Sequence, residues 1–135
     1  MLPITARSIR LTLHVLGVTV WVGGQLTLLG ILPALRAAEG DVARRVARRF
    51  EQVAWPAFGL VIVTGVWNLI AIDVGDTSSS YQATLMAKLV FVALSGVGAF
   101  LHGRATARSA LALWGAVGLL AALVALFYGV QLAAS

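Results

Sequence analysis

The feature that most constrains this chain is the stretch Leu11–Leu35, which contains no aspartate, glutamate, lysine or arginine. A helix of this length crosses a hydrocarbon core that is about 30 Å thick. Because lipid offers no hydrogen bonds to the backbone, a helix is the structure that the stretch can adopt there. A polar side chain inside such a helix is costly unless it has a partner or a task, and His14 is one. The rest of the sequence must therefore explain what His14 meets inside a membrane.

The composition of the whole chain is that of an integral membrane protein. The chain is 60% hydrophobic and 11% charged, whereas a soluble domain is nearer a quarter charged. It contains no cysteine, which excludes disulfides and thiolate metal sites. The net charge of +5 lies mostly in the connections between apolar segments, so it favours membrane orientation and not nucleic-acid binding.

Four apolar segments predict an all-α, up-and-down bundle of four transmembrane helices, which forms a single transmembrane domain over residues 1–135. The predicted helices cover about residues 9–35, 53–72, 82–103 and 109–133. The first is too long for the apolar region of a signal peptide, so we expect it to be retained. After it, Asp41 is a good helix N-cap, and apolar residues recur at helical spacing. This pattern predicts an amphipathic cytoplasmic segment over about residues 41–52.

The arginines indicate how the protein is oriented. Two of them, Arg7 and Arg10, precede the first predicted helix. Seven follow the first and third predicted helices: Arg36, Arg44, Arg45, Arg48, Arg49, Arg104 and Arg108. The positive-inside rule then predicts a multi-pass protein of the inner (cytoplasmic) membrane, with both termini outside.

Two surfaces are predicted to meet other molecules besides the bilayer itself. The arginines of the amphipathic segment either only set the topology or also bind anionic lipids; they are Arg44, Arg45, Arg48 and Arg49. The fourth predicted helix carries small residues four apart, which let helices approach closely in lipid; they are Ala121, Ala125, Gly129 and Ala133. That row could dock a second copy of the chain or a partner membrane subunit.

Polar residues fall on common faces when each helical residue is rotated by about 100° from the last. His14 and Trp21 share a stripe on the first predicted helix, and Lys88, Ser95 and His102 share one on the third. Counting turns from the membrane surface predicts a cluster in the outer leaflet with two further residues below it. The cofactor-binding candidates are therefore His14, Lys88, Asn68 and Tyr128, with Trp21 and Ser95 nearer the middle of the membrane.

Each candidate also has a simpler explanation. Lys88 could extend its ammonium group to the outer headgroups, and Asn68 could only bridge two helices. His14 could be a neutral, hydrogen-bonded residue of the bundle, whereas as a ligand it suits copper or haem iron. His102 is the second metal candidate, but it lies near the opposite surface beside Arg104, so the two histidines cannot bind one ion. All five acidic residues lie outside the predicted helices, which argues against carboxylate acid–base catalysis inside the membrane.

Three motifs resemble those of the copper resistance D (CopD) family of membrane proteins. The first is a histidine followed by Trp-Val-Gly-Gly: His14, Trp21, Val22, Gly23 and Gly24. The second is an Arg-Arg-Phe entry into a helix with a Thr-Gly pair: Arg48, Arg49, Phe50, Thr64 and Gly65. The third is Tyr-x-x-x-Leu-x-x-Lys: Tyr81, Leu85 and Lys88, with Gln82 where that family usually has glycine.

The resemblance implies copper transport or copper homeostasis at the cytoplasmic membrane, with copper as the ligand. The combination of His14 and Lys88 also resembles the related HemJ-type protoporphyrinogen oxidases, which are small haem-binding membrane proteins of four helices. That resemblance implies an alternative, a haem-binding redox protein with haem b on His14. A second alternative is a small membrane scaffold or partner subunit without a ligand. No catalytic residue is assigned, and a non-enzymatic role is favoured.

Overall fold

The computed structural model describes residues 3–135 of the chain, and within that range it contains helices and no strand. Four helices are long and apolar enough to cross a membrane. They are α1 (Ala6–Ala37), α2 (Val42–Ala71), α3 (Ser79–Arg104) and α4 (Arg108–Ala134). The prediction of an all-α protein with four membrane-spanning helices is therefore confirmed.

Three of the four helices, α1, α3 and α4, extend at both ends beyond the apolar segments that predicted them, and polar residues cap the starts of two of these helices. Thr5 and Ser8 form a reciprocal capping box at the start of α1. Ser78 accepts a hydrogen bond from the backbone N–H of Tyr81 and so caps α3. The amphipathic segment predicted over residues 41–52 and the helix predicted over residues 53–72 form one continuous helix, α2. Asp41 stands at the N-cap position of α2 without a capping hydrogen bond.

Helix α1 is interrupted at its middle by a π-helical turn, Thr19–Gly23, which separates the α-helical parts Ala6–Val18 and Gly24–Ala37. A π turn accommodates one extra residue, so the part that follows is rotated by about 100° relative to an unbroken helix. The face that a side chain occupies after the turn therefore differs from the one that a uniform helical period gives.

The described residues form two compact halves, residues 3–72 and residues 73–135. The first half is a hairpin in which α1 packs against α2 in antiparallel register. Gly17 lies so close to the α2 backbone that a Cβ at this position would be 3.0 Å from the Ala57 carbonyl oxygen. Gly40, with φ of 73°, takes the left-handed conformation that lets the chain turn between the two helices. The prediction of one domain over the whole chain stays a prediction.

The second half is a hairpin of α3 and α4, whose backbones touch at two glycines. A Cβ on Gly98 would lie 2.6 Å from the backbone nitrogen of Gly118, so only glycine fits this crossing. Much of the small-residue row on α4 is covered within the chain, since Ala121 and Ala125 are each 6% exposed. Ala133 is the one residue of that row that is exposed. Docking of another chain through the row stays a prediction.

Large apolar side chains cover the outside of both hairpins. Leu29, Val63, Met86 and Phe127 are each more than half exposed. In the most apolar window of each helix, 22% or less of the residues are buried inside the chain. Such a surface is stable in lipid, where apolar side chains need not be shielded from water.

Candidate functional site

The first polar contact inside the α1–α2 hairpin joins His14 to Thr64. The His14 Nδ1 atom lies 2.8 Å from the Thr64 Oγ1 atom, and Thr64 is 2% exposed. The Thr64 hydroxyl donates to the Leu60 carbonyl oxygen at 2.6 Å. A hydroxyl carries one hydrogen, and that hydrogen lies on the bond to Leu60. In that arrangement Thr64 accepts from His14, which places the proton of a neutral imidazole on Nδ1.

This assignment decides which nitrogen of His14 suits a metal. When Nδ1 carries the proton of a neutral imidazole, the lone pair is on Nε2. Histidines that bind metals are usually held in this way, with the second nitrogen donating to an oxygen that fixes the tautomer and the ring plane. Thr64 is thus the residue that orients His14, a role that the sequence did not assign to it.

A second polar contact lies one turn nearer the open end of the same hairpin, the end opposite the Ala38–Asp41 connection. The Arg10 Nε atom donates to the Asn68 Oδ1 atom. Its guanidinium carbon is 5.9 Å from the centre of the Trp67 ring, within the range of a cation–π interaction. Arg10 is only 9% exposed. From its place in the sequence, Arg10 indicated only the orientation of α1; in the structure it belongs to the site.

A signal for both contacts was present in the sequence. Arg10 and His14 are four residues apart on α1, and Thr64 and Asn68 are four residues apart on α2. On antiparallel helices, two polar pairs with equal spacing can meet in a ladder. In the structure Thr64 binds His14, and Asn68, one turn further along α2, binds Arg10. The predicted cluster of His14 and Asn68 with Lys88 and Tyr128 stays a prediction.

Aromatic side chains pack on the other side of His14, at the π turn. Trp21 is 5% exposed, and its ring centre is 4.4 Å from that of Phe58 and 5.5 Å from that of Trp55. The Gln25 side-chain amide donates a hydrogen bond to the Trp21 carbonyl oxygen at 3.0 Å, so it satisfies a backbone acceptor within the π turn. The first half therefore holds a polar ladder towards its open end and an aromatic layer towards its middle.

In the second half, Lys88 lies beside α4. A Cβ at Gly129 would come 3.4 Å from the Lys88 Nζ atom, so the glycine leaves room for the lysine head. The neighbouring Tyr128 ring packs on Phe91, with 6.0 Å between their centres. Ser95, two turns along α3 from Lys88, is 1% exposed. Lys88 and Tyr128 thus share one region of this hairpin, and their cofactor-binding role stays a prediction.

His102 occupies the end of α3 near its connection to α4. Its Nδ1 atom donates to the Leu111 carbonyl oxygen at 2.8 Å, and its side chain is exposed. Gly115 allows this approach, because a Cβ there would lie 3.0 Å from the same nitrogen. The contact ties the two helices together, and a metal-binding role for His102 stays a prediction. Among residues 3–135, no three His, Cys, Asp or Glu side chains are grouped as a metal site.

The comparisons with known proteins point to one family. A family model described as copper resistance protein D matches residues 44–127, which is more than half of the chain. The matched range contains Thr64, Asn68, Lys88 and Ser95, while His14 lies before it. Neither the search of curated proteins nor the search of solved structures found a significant match.

Proposed function

Because the chain belongs to the copper resistance protein D family, we propose that it handles copper in the cytoplasmic membrane, in transport or in homeostasis. The observation that supports this most directly is the fixed ring of His14. The Thr64 Oγ1 atom lies 2.8 Å from Nδ1; when Nδ1 donates to it, the lone pair is on Nε2, the atom that would bind copper. An imidazole nitrogen is a good ligand for copper.

The position of His14 also fits a role inside the membrane. It lies within a stretch that carries no charged residue, on a helix long enough to span. Copper would therefore be bound below the membrane surface and not in an exposed loop. With the arginine-rich start of α2 in the cytoplasm, His14 would lie in the outer leaflet, where it could receive copper from outside the cell.

The test is a measurement of copper bound to the purified full-length protein in detergent, with a titration in the Cu(I) state and in the Cu(II) state. We expect stoichiometric binding by the wild-type protein and a loss of at least about tenfold in affinity for His14→Ala. His102→Ala is the matched control, since it removes the other histidine and should leave the high-affinity site intact. Equal affinity of wild type and His14→Ala would refute the assignment of His14.

The donor atoms of the chain favour a second candidate, a haem-binding redox protein with haem b on His14. The chain has no cysteine, and Met86 is 61% exposed on the outside of its hairpin. Soft sulfur ligands that stabilise Cu(I) are therefore scarce, whereas a single histidine is sufficient as an axial ligand of haem iron. A Soret band in the purified protein, absent from His14→Ala, would support haem, and its absence from the wild type after haem addition would remove this candidate.

Two proposed interactions concern the surface and not the His14 site. The side chains of Arg44, Arg45, Arg48 and Arg49 are all exposed at the start of α2. This supports binding to the anionic headgroups of the inner leaflet, which attract basic segments next to a membrane. Association with a second copy or a partner subunit would use the end of α4 at Ala133, the part of the small-residue row that is exposed.

A further inference from the structure

Arg10 has the geometry of a residue built into a binding site. It is only 9% exposed, its Nε atom is held by the Asn68 amide oxygen, and its guanidinium lies over the face of Trp67. An arginine that merely extends to the headgroups buries its aliphatic stem and leaves the guanidinium group unpaired in water. Here two residues of α2 fix the plane of the guanidinium group instead.

Arg10 forms no ion pair with a carboxylate of the described residues. In the described part of the chain, the ion pair that forms joins Arg45 to Asp41, and no carboxylate pairs with Arg10. The acidic residues of the first half, Glu39, Asp41 and Glu51, all belong to the end of the hairpin near the connection. In the antiparallel register, Arg10 is at the opposite end. The Nη atoms of Arg10, which make no hydrogen bond with the described residues, are not fully buried, so an anion from outside the chain can reach the guanidinium group and supply its counter-charge.

The donors of Arg10 define what that anion must be. A guanidinium group has five N–H donors in a planar fork. The Asn68 Oδ1 atom accepts a hydrogen bond from the Arg10 Nε–H group, and the guanidinium group makes no other hydrogen bond within residues 3–135. Its two Nη atoms therefore retain four N–H groups, which match two oxygens of one tetrahedral or planar oxyanion.

The position of Arg10 selects phosphate among the oxyanions. Arg10 directly precedes the charge-free stretch that begins at Leu11, so it lies where the hydrocarbon core gives way to the headgroup region. Phosphate groups of lipids are at that level, and free phosphate can reach it from the water. We propose that Arg10, positioned by Asn68 and Trp67, forms a phosphate-binding site at the open end of the α1–α2 hairpin.

This proposal does not depend on the proposed role of His14 in copper or haem binding. The test uses the delipidated full-length protein in a neutral detergent, with calorimetric titration of two probes. One probe is inorganic phosphate, and the other is a short-chain phosphatidylglycerol below its micellar concentration. Saturable binding of inorganic phosphate indicates a site for free anions, and binding of the phospholipid alone indicates a headgroup site. Either result supports the proposal if it depends on Arg10.

Three variants show whether binding depends on the built site. Arg10→Gln should weaken binding by about tenfold or more, because it removes charge-assisted hydrogen bonds. Arg7→Gln is the matched control: Arg7 is exposed, lies one turn earlier on α1 and carries the same charge, so binding should be unchanged. Asn68→Ala keeps the charge of Arg10 but releases its Nε atom, and should weaken binding by a smaller factor.

Several results would overturn the proposal. Neither probe binds saturably to the wild-type protein, or Arg7→Gln lowers the affinity as much as Arg10→Gln does. If Arg10→Gln proves to be misfolded by circular dichroism and gel filtration, Asn68→Ala decides the matter. Wild-type affinity in a folded Asn68→Ala protein would then show that the contacts around Arg10 do not build the site.

Discussion

Replacing Thr64 with valine should damage the His14 site while leaving the fold nearly intact. Valine has the shape of threonine and the same branch at Cβ, so it fills the space of a side chain that is 2% exposed. The substitution removes only the hydroxyl that accepts from His14 Nδ1 at 2.8 Å. The Leu60 carbonyl, to which that hydroxyl also donates, keeps its ordinary helical acceptor role for the backbone N–H of residue 64.

The two consequences have different magnitudes. A hydrogen bond between side chains of membrane helices contributes about 0.6 kcal/mol on average and up to about 1.7 kcal/mol. Because the substitution also leaves the His14 N–H without this acceptor, the free energy of unfolding should fall by about 1–2 kcal/mol. The loss of a residue that orients a ligating histidine costs about 10- to 100-fold in metal affinity. Tenfold is about 1.4 kcal/mol. The effect on ligand binding should therefore equal or exceed the effect on stability.

The measurement compares copper affinity, or the Soret absorbance if haem is the ligand, with thermal unfolding of the same detergent-solubilised samples. Thr27→Val is the matched control, because the Thr27 hydroxyl donates to the Gly23 carbonyl oxygen at 2.8 Å and its side chain is exposed. That control removes the same kind of bond along the helix without a histidine partner. Wild-type ligand affinity in Thr64→Val, or an equal loss in Thr27→Val, would contradict the orienting role of Thr64.

Two further predictions concern packing and lipid contact. Gly98→Val should lower the temperature of unfolding markedly, because a Cβ there would lie 2.6–2.8 Å from the Gly118 backbone and overpacking costs about 1–3 kcal/mol or more. The control Gly59→Val, at an exposed site with no atom within 4 Å of the added Cβ, should change that temperature little. Equal shifts in the two variants would count against the helix crossing at Gly98. Changing the four exposed arginines of α2 to glutamine should lower the share of phosphatidylglycerol among the lipids that co-purify with the protein, because each arginine contributes about 1 kcal/mol of attraction at an anionic surface. Lipid mass spectrometry measures this share. An unchanged share would leave these residues with a topological role alone. They are Arg44, Arg45, Arg48 and Arg49.

The number and type of helices could be predicted because they depend on local properties. A charge-free stretch such as Leu11–Leu35 can only be a helix in lipid, and no neighbouring segment changes that outcome. The ends of the helices depend on details that periodicity does not contain. The capping box of Thr5 and Ser8 extends α1 beyond the apolar stretch, and residues 42–52 join α2 because no residue there breaks the helix.

The contacts of the site were harder to predict because they depend on the register between two helices. The connection Ala38–Asp41 sets the position of α2 along the axis of α1. A shift of α2 by one helical turn would place Asn68 beside His14 instead of Arg10. The π turn at Thr19–Gly23 adds a second difficulty, since it changes the rotation of α1 without an evident signal in residue types. His14 could be selected as the central residue, whereas Thr64 and Arg10 became its neighbours only once the register was known.

The two proposed sites on the α1–α2 hairpin are close enough to influence each other. Four residues of α-helix separate His14 from Arg10, a rise of about 6 Å along the axis. Two unit positive charges about 6 Å apart repel by about 3 kcal/mol at an effective dielectric constant of 20, so a guanidinium group this near His14 would oppose a copper ion bound there. A phosphate group on Arg10 would remove that repulsion, because the anion neutralises the guanidinium group before the metal arrives. A positive residue beside a metal ligand would otherwise weaken metal binding, so copper binding at His14 and anion binding at Arg10 should reinforce each other, and by thermodynamic reciprocity each should raise the affinity of the other by the same factor.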